Sequence, residues 1–453
     1  MIEHKRRDFL KLSLVATSAL IAPSFSKAAD VDISQVRFNA TTYSANNAQT
    51  IMIFLYGGAS ELAGNLTNID AIKNASQSNY DTYFRGVTPT ANHFWQEAGG
   101  TFMESLLSAG DLNVFRTCYS AHREETNNKS HGRCVAQNQR GAFREEGSGI
   151  FTTLAQILSK NGVINANTRL PFVTMEGESG FYAKGDKPLL GYLNPVGMDE
   201  NLDNPYERAS DNRWFYYNPT ERNIPNYENN STASINLKMD TLAQAHNQAG
   251  KIKEAFTKRQ SLESFINQIK TKILPAGVTY PANNPFAEKL QTAVNILASN
   301  PDTKVISLGN DGLGGWDDHN EARDYVNRME SLFSALSSTM AHIKAEGKVN
   351  NVSIMIFGDF GRNVNLNSAL GWDHGNLQNF YLLGGKGYFN NVGVVGETAL
   401  NVSNKLNRLY QKPKNNSYFF EPLSIASTFY KIYGIENPEV LTGGYGGIEG
   451  GLF

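Results

Sequence analysis

The chain has 453 residues, of which 41 are Lys or Arg and 43 are Asp or Glu, so its formal net charge is −2. This balance, with no long run of either sign, argues against a nucleic-acid groove or a membrane-binding face. A small molecule or another protein is therefore the expected partner. The length allows one large domain with insertions or two domains.

The N-terminus has the pattern of a twin-arginine signal peptide over residues 1–29. A twin arginine followed by Phe-Leu-Lys lies within Arg6–Lys11, an apolar run covers Leu12–Ala22, and small residues in Ser26–Ala29 offer a cleavage site. The apolar run is shorter than the ~20 residues that span a bilayer. We therefore expect a periplasmic or otherwise exported protein that does not span the membrane. The twin-arginine translocation machinery would be its partner during export.

Apolar runs that mostly end in glycine predict buried strands along the rest of the chain. Between them lie helical patterns, of which Glu321–Glu346 is the longest. Strands that alternate with helices predict an α/β fold with a mostly parallel central sheet flanked by helices. In such sheets ligands bind beyond the carboxyl ends of the strands. The predicted strands are Ile51–Tyr56, Leu112–Thr117, Lys304–Leu308, Val352–Phe357 and Phe380–Leu383.

The composition changes over residues 184–234, which are rich in Asn, Tyr and Pro, and an amphipathic helical stretch is expected over Ile235–Ile273. We interpret residues 30–453 as a single domain with an irregular and helical insertion at about 184–285. The insertion could shape a substrate cleft, cover a sheet edge or bind a glycan. Cys118 and Cys134 could form a disulfide or remain unpaired in the core, and the sequence leaves both alternatives open.

Three loops in the C-terminal third concentrate Asp and His next to predicted strands. They are Gly314–His319, Gly358–Arg362 and Gly371–Gly375. Carboxylates and imidazoles at strand ends, with glycines that let the backbone approach closely, are typical of a Zn, Mn or similar divalent site. In any one loop an Asp that caps a helix or a buried, hydrogen-bonded His would be the simpler explanation. The three loops together predict a metal or catalytic site.

These loops also carry a family resemblance. A strand ending in Gly57-Gly58, then Ser130-His131, Gly-Gly-Trp-Asp-x-His, Asp-Phe-Gly-Arg and Asp-His-Gly follow one another in the chain. This order resembles the bacterial family called domain of unknown function 1501, which is similar to the alkaline phosphatase and sulfatase superfamily. The resemblance implies an alkaline-phosphatase-like fold and a metal-dependent hydrolase that acts on phosphate or sulfate esters.

The resemblance also implies roles for individual residues. Asp317 and His319 correspond to ligands of one metal, His374 to a later histidine ligand and Asp359 to a further carboxylate ligand, with Asp373 as a weaker candidate. Ser130 corresponds to the nucleophile, and Thr126 is its rival. Arg362 would bind a substrate oxyanion through its planar guanidinium, unless it forms only a surface ion pair.

Two departures from the family pattern bear on the number of metal ions. Phe360 stands where the superfamily has a histidine ligand, and Ala59-Ser60-Glu61 stands where the family has Asp-Gly, so that Glu61 is the only local substitute for the missing carboxylate. One ion, two ions or none are therefore compatible with the sequence. The alternative function is that of a catalytically degenerate family member that acts as an exported binding or assembly protein.

Overall fold

The computed structural model describes residues 31–75, 80, 84, 86–186, 189–199, 241, 262, 264–403 and 408–453. The predicted signal peptide and most of the predicted insertion lie outside the described residues. Eight strands form one sheet in the order β4-β3-β5-β1-β6-β7-β2-β8, and β9 and β10 form a separate antiparallel hairpin. The strands are β1 Gln49–Leu55, β2 Leu112–Cys118, β3 Phe172–Thr174, β4 Val196–Gly197, β5 Val305–Leu308, β6 Val352–Gly358, β7 Gln378–Gly384, β8 Val394–Val395, β9 Thr398–Ser403 and β10 Arg408–Pro413.

Helices connect these strands and cover both faces of the sheet. The α-helices are α1 Ala40–Asn46, α2 Ile69–Asn74, α3 Gly100–Ser108, α4 Ala121–Thr126, α5 His131–Arg140, α6 Ile150–Lys160, α7 Pro285–Ser299, α8 Tyr325–Ala345 and α9 Leu423–Ile432. Short 3-10 helices occupy Ile33–Gln35, Glu61–Gly64, Gln96–Ala98, Gly180–Tyr182, Gly191–Leu193, Ala322–Asp324 and Pro438–Val440. None of the helices in the described ranges is long and apolar enough to cross a membrane.

The sheet is mostly parallel, as predicted. Strand β1 pairs in parallel with β5 and β6, whereas β7 runs antiparallel to both β6 and β2. Because β7 runs the opposite way, the loop that precedes it lies at the same edge as the carboxyl ends of β1, β5, β6 and β2. The carboxyl ends of β3, β4 and β8 also lie at this edge, because these strands pair in parallel with their neighbours. The edge therefore collects the loops that follow the seven parallel strands and the one loop that precedes β7.

The core has two layers, one on each face of the sheet. Successive side chains of β1 point to opposite faces and therefore pack in different layers. Ile51 and Ile53 pack in the layer that contains α3, α7 and α8, and Met52 and Phe54 pack in the layer that contains α6 and α9. The continuous apolar run Ile51–Leu55 must be covered on both sides of the sheet, which the helices of the two layers achieve.

The structure confirms all five predicted strands and gives further detail in three places. Glu321 has a left-handed backbone (φ 49°), so the predicted helix Glu321–Glu346 becomes a 3-10 turn followed by α8. Within the predicted insertion, β4 pairs in parallel with β3 at the sheet edge, and residues 264–270 are helical. Cys118 and Cys134 are buried and unpaired, which is the core alternative rather than the disulfide.

Candidate metal centre

The three Asp/His loops meet at the carboxyl edge of the sheet, and backbone hydrogen bonds hold them in register. Gly375 N–H donates to Gly361 O at 2.8 Å, and Asn363 N–H donates to Asp373 O at 3.0 Å. A Cβ atom at Gly375 would lie 2.4 Å from the carbonyl carbon of Arg362. The glycine is therefore required for the close approach of these two loops, which brings His374 next to the loop after β6.

A second backbone contact positions the loop that follows β5. Trp372 N–H donates to Asp318 O at 2.6 Å, and a Cβ atom at Gly371 would lie 2.2 Å from the carbonyl carbon of His319. Gly57, with φ 105°, packs in the same way against the backbone of Asp317, where a Cβ atom would lie 2.4 Å from the amide nitrogen. The glycines predicted to allow close approach thus fix the positions of Asp317 and His319.

Four side chains converge at this edge: His131, Asp317, His319 and His374, whose ligand atoms all lie within 4.8 Å of one another. The Nε2 atoms of His131 and His319 lie 3.1 and 3.3 Å from Asp317 Oδ1. The Nε2 atoms of His319 and His374 are 2.9 Å apart. Three imidazole nitrogens and one carboxylate oxygen at these separations form a donor set that suits Zn²⁺ or another first-row divalent cation.

The other ring nitrogen of each histidine faces an oxygen acceptor. His131 Nδ1 lies 2.7 Å from Asp359 Oδ2, His374 Nδ1 lies 2.6 Å from the carbonyl oxygen of Lys129, and His319 Nδ1 lies 3.3 Å from Asp373 Oδ1. An acceptor at Nδ1 places the proton there and leaves the Nε2 lone pair free to bind a cation. The same arrangement at all three histidines is what a metal centre requires, so the residues fit a divalent ion.

The protonation of two members of the centre agrees with this fit. Burial lowers the pKa of His374 to about 4, assisted by the positive charge of Arg362, so the imidazole is neutral near pH 7. Partial burial alone would raise the pKa of Asp317. The hydrogen bond and charge of Arg362, together with His131 and His319, outweigh burial and lower that pKa. A neutral imidazole and an ionised carboxylate are the ligand forms that bind metal.

His131 is the member of the centre that the sequence-based assignment missed. It begins α5, which Ser130 precedes as the N-cap residue. The loop before α5 comes from the carboxyl end of β2, so the first turn of the helix lies at the same sheet edge as the three Asp/His loops. The available signal was its place in the family motif Ser130-His131, which was interpreted only through the serine.

Asp359 and Asp373 were predicted as metal ligands, but the structure places each of them behind a histidine. Asp359 is almost fully buried, accepts a hydrogen bond from Gly57 N–H at 3.2 Å and holds His131. Burial raises its pKa, partly offset by His131. Asp373 holds His319 and pairs with Arg408 at 2.8 Å. Both carboxylates therefore orient ligands and do not belong to the group of four donors.

Arg362 is buried, and its nitrogens are occupied by the protein. Its Nε donates to Gly58 O at 2.9 Å and its Nη1 to Trp372 O at 3.0 Å. Its Nη2 lies 2.7 Å from Asp317 Oδ1 and also bonds the carbonyl oxygen of Gly57. The guanidinium thus ties the loops after β1, β5 and β6 together. We assign it this positioning role, because its donors do not form the free fork that the predicted contact with an oxyanion needs.

The candidate nucleophiles and the candidate substitute ligand lie outside the donor group. Ser130 is exposed beside His131, and no hydrogen bond ties its hydroxyl to the four donors, so its role stays a prediction. The hydroxyl of Thr126 donates to His122 O at 2.8 Å. Glu61 is buried and accepts a hydrogen bond from the backbone N–H of Arg362 at 3.3 Å, so it supports the arginine instead of replacing a ligand.

Phe360, which replaces the expected histidine, forms an apolar wall of the centre. Its ring lies 4.7 Å from the His131 ring and 4.6 Å from the His374 ring, measured between centroids. The side chain of Asp317 is 54% exposed and that of His319 37%, so solvent reaches the centre from the opposite side. Among the described residues this is the one group of at least three His, Cys, Asp or Glu side chains that could hold a metal ion.

The fold and the site define an α/β protein with a three-histidine, one-carboxylate centre at the carboxyl edge of its sheet. Residues 221–404 match the model of the family described as protein of unknown function DUF1501. This match confirms the family resemblance over the region that holds Asp317, His319, Arg362 and His374. No curated protein matches the sequence at a significant level.

Solved structures with a similar fold share little sequence with this chain. A structure titled Ps i-CgsB in complex with k-i-k-neocarrahexaose is 12% identical, with a TM-score of 0.40 and coverage of 87% of this chain and 74% of that chain. Alkaline phosphatase from the Antarctic bacterium TAB5 is 10% identical, with a TM-score of 0.36 and coverage of 85% and 98%. The lipoteichoic acid synthase LtaP from Listeria monocytogenes is 9% identical, with a TM-score of 0.35 and coverage of 90% and 79%. Because these TM-scores are below 0.5, the fold assignment rests on the sheet order itself.

Proposed function

We propose that the protein is an exported, metal-dependent hydrolase of phosphate or sulfate esters, with one divalent cation held by His131, Asp317, His319 and His374. The proposal rests on one arrangement. The ring nitrogens of three histidines lie close to Asp317, and the Nδ1 atom of each histidine faces an oxygen acceptor. The family resemblance supports the reaction class. The N-terminal twin-arginine pattern supports export to the periplasm.

A cation bound at this centre would polarise an ester oxygen and lower the pKa of a coordinated hydroxyl or water. The chain's own residues prepare the centre for that chemistry. Asp359 and Asp373 hold the rings of His131 and His319 in place, and the Phe360 ring excludes water from one side. Ser130, exposed at the start of α5 beside His131, is the proposed nucleophile, and Thr126 is the alternative.

A single cation is the stoichiometry that this donor set supports. The guanidinium of Arg362 lies 2.7 Å from Asp317 Oδ1 and within 3.4 Å of His319 Nε2. A second metal ion next to Asp317 would have to displace this buried, hydrogen-bonded cation or suffer strong repulsion from it. Arg362 thus provides fixed positive charge beside the centre.

The first experiment is elemental analysis of the folded, signal-cleaved protein. We expect about one Zn or Mn ion per chain in the wild type and background metal in the His319→Ala, His374→Ala double variant. His122→Ala is the matched control, because His122 is an exposed histidine whose ring packs on Phe143 away from the centre. If the wild type holds no metal even after refolding with Zn or Mn, the hydrolase proposal fails.

Activity assays then test the reaction class. With p-nitrophenyl phosphate and p-nitrophenyl sulfate as substrates, the metal-loaded wild type should release p-nitrophenol and the double histidine variant should not. Ser130→Ala should remove turnover without removing the metal, whereas Thr126→Ala should retain both. The alternative, a degenerate binding or assembly protein, is motivated by the apolar Phe360 ring against His131 and His374. Stoichiometric metal without turnover on any phosphate or sulfate ester would favour it.

A further inference from the structure

Strand β10 provides a continuous side-chain surface that starts beside the metal centre. Leu409 and Gln411 are buried on one face of the strand, so Arg408, Tyr410 and Lys412 share the other face. Arg408 pairs with Asp373 at 2.8 Å. At about 3.3 Å per residue, the surface from Arg408 to Lys412 extends about 13 Å away from the centre.

A cavity of about 350 Å³ lies where this surface ends. Its lining includes the rings of Tyr119 and Phe419, the amides of Asn415 and Asn416 and the hydroxyl of Ser417, next to Lys412. The two rings are perpendicular, with centroids 6.2 Å apart. The Phe419 side chain is 47% exposed, although phenylalanine is usually buried. The volume falls within the range of small-molecule sites.

Hydrogen bonds link the cavity to the metal centre through Glu124. Lys412 Nζ donates to Glu124 Oε1 at 2.9 Å, and Lys129 Nζ lies 3.2 Å from Glu124 Oε2. The carbonyl oxygen of Lys129 in turn accepts the bond from His374 Nδ1. Asn376, two residues after His374, donates to Glu124 Oε2 at 3.3 Å. The cavity and the metal centre are therefore linked by one network of hydrogen bonds and ion pairs.

The charges around the cavity are compensated by the protein. Lys412 pairs with Glu124, and Lys414 pairs with Glu397 at 2.7 Å. The Ser417 hydroxyl is used by the protein, since it accepts from Glu397 N–H at 2.7 Å and donates to Tyr418 O at 3.3 Å. The groups that remain for a ligand are an exposed aromatic ring and amides that both donate and accept hydrogen bonds. A pyranose ring matches this combination, because its C–H face packs on an aromatic ring while its hydroxyls bond to amides. A polyanion would need cations that are free of carboxylates.

We propose that this cavity binds a neutral sugar unit of a glycan chain that runs along the β10 surface toward the metal centre. The inference deepens the proposed function, since it makes a glycan-borne ester the substrate class. The binding of sugar depends on Phe419, Asn415 and their neighbours and not on a metal ion. It can therefore be measured separately from hydrolysis.

The test uses isothermal titration calorimetry on the full signal-cleaved chain with cellohexaose, N-acetylchitohexaose and agarohexaose as probes. Both the wild type and the His319→Ala, His374→Ala variant should bind at least one of these hexasaccharides. Phe419→Ala should weaken that binding about tenfold, and Asn415→Ala should weaken it by a smaller factor. Val440→Ala, which truncates an apolar side chain with 42% exposure that does not line the cavity, should leave binding unchanged.

The outcomes separate this inference from the proposed function. Sugar binding by both forms without ester hydrolysis by the metal-loaded wild type would support the cavity and contradict the hydrolase. Failure of all three hexasaccharides to bind would overturn the inference, and so would binding that Phe419→Ala leaves intact. Circular dichroism of each variant confirms the fold, and Phe419 is exposed enough for its truncation to be tolerated.

Discussion

Buried carboxylates occur at both edges of the sheet, but the protein treats them differently. Asp111, which directly precedes β2 at the amino edge, contacts both Lys344 and Lys386, the latter at 2.7 Å. At the carboxyl edge, Asp359 and Asp373 each face the Nδ1 atom of a histidine. The charge of Asp111 is thus balanced by two lysines, and that of Asp373 by Arg408 at 2.8 Å. What distinguishes the carboxyl edge is that Asp359 and Asp373 also face histidine rings whose Nε2 atoms lie close together.

The contrast separates an ion cluster that stabilises the fold from a centre that is arranged for a ligand. At the amino edge two lysine cations contact one carboxylate, and their positive charge would repel an added cation. At the carboxyl edge, imidazole nitrogens face one another and Asp317, an arrangement that brings lone pairs together. Such convergence is unfavourable unless a cation or shared protons lie between the donors.

The largest effect that this contrast predicts is the loss of metal in His131→Ala. His131 Nε2 lies 3.1 Å from Asp317 Oδ1, so its removal leaves two histidines and one carboxylate. We expect the metal content of the purified protein to fall from about one ion per chain to background. Elemental analysis after gel filtration measures this. A His131→Ala protein that retains stoichiometric metal would show that His131 is not a ligand.

Asp359→Asn should weaken metal binding by about 10- to 100-fold, because the carboxylate behind a ligating histidine fixes the ring and raises its basicity. The substitution preserves the shape of the side chain and removes its charge. Competition with a chelator of known affinity gives the ratio of dissociation constants. Asn138, whose amide donates to the carbonyl oxygen of Asp359 at 3.0 Å, supplies the comparison. Asn138→Ala should have a smaller effect, because it leaves the carboxylate on His131 in place.

At the amino edge, Asp111→Asn should lower the free energy of unfolding by about 1–3 kcal/mol and leave the metal content unchanged. The side chains of Lys344 and Lys386 are 42% and 36% exposed, so water can solvate them once the carboxylate is gone. Urea unfolding followed by circular dichroism measures the change. A reduced metal content in this variant would contradict the separation between the two edges.

The sequence predicted the strands well because β1 and β6 each contain a continuous apolar run, Ile51–Leu55 and Ile354–Phe357, which requires burial on both sides of the sheet. It also placed Asp317, His319 and His374 at one site, since their loops adjoin consecutive strands of that sheet. It did not find His131, although the family motif Ser130-His131 contains it, because only the serine of that motif was interpreted. Asp359 and His374 look equally suited to bind metal in the sequence. Only the distances show that Asp359 contacts His131 Nδ1, whereas His374 belongs to the group of four possible donors.

The position of Glu61 could not be predicted for a similar reason. It was the candidate substitute for a missing ligand, yet it lies behind Arg362 in a buried environment. Burial raises the pKa of Glu61 to about 8, although hydrogen bonds from backbone N–H groups, including that of Arg362, and the arginine charge act in the opposite direction. Its neutral form therefore predominates in the folded protein near pH 7.

This shift gives a pH dependence whose sign can be stated. The pKa of Glu61 in the folded state, about 8, exceeds its unfolded value of 4.5. Between these values the folded state binds more protons than the unfolded state, so the stability that Glu61 contributes is complete below about pH 4.5 and is lost as the pH rises through about 8.

Glu61→Gln has no such titration. The unfolding free energy of the wild type minus that of the variant, measured in urea with a chelator present, should therefore decrease steadily from about pH 5 to about pH 8.5. A constant difference over this range would mean that Glu61 is ionised in the folded protein. In that case Glu61 would carry a negative charge close to the metal centre, as Asp317 does, and it could not be treated as a neutral residue that only supports Arg362.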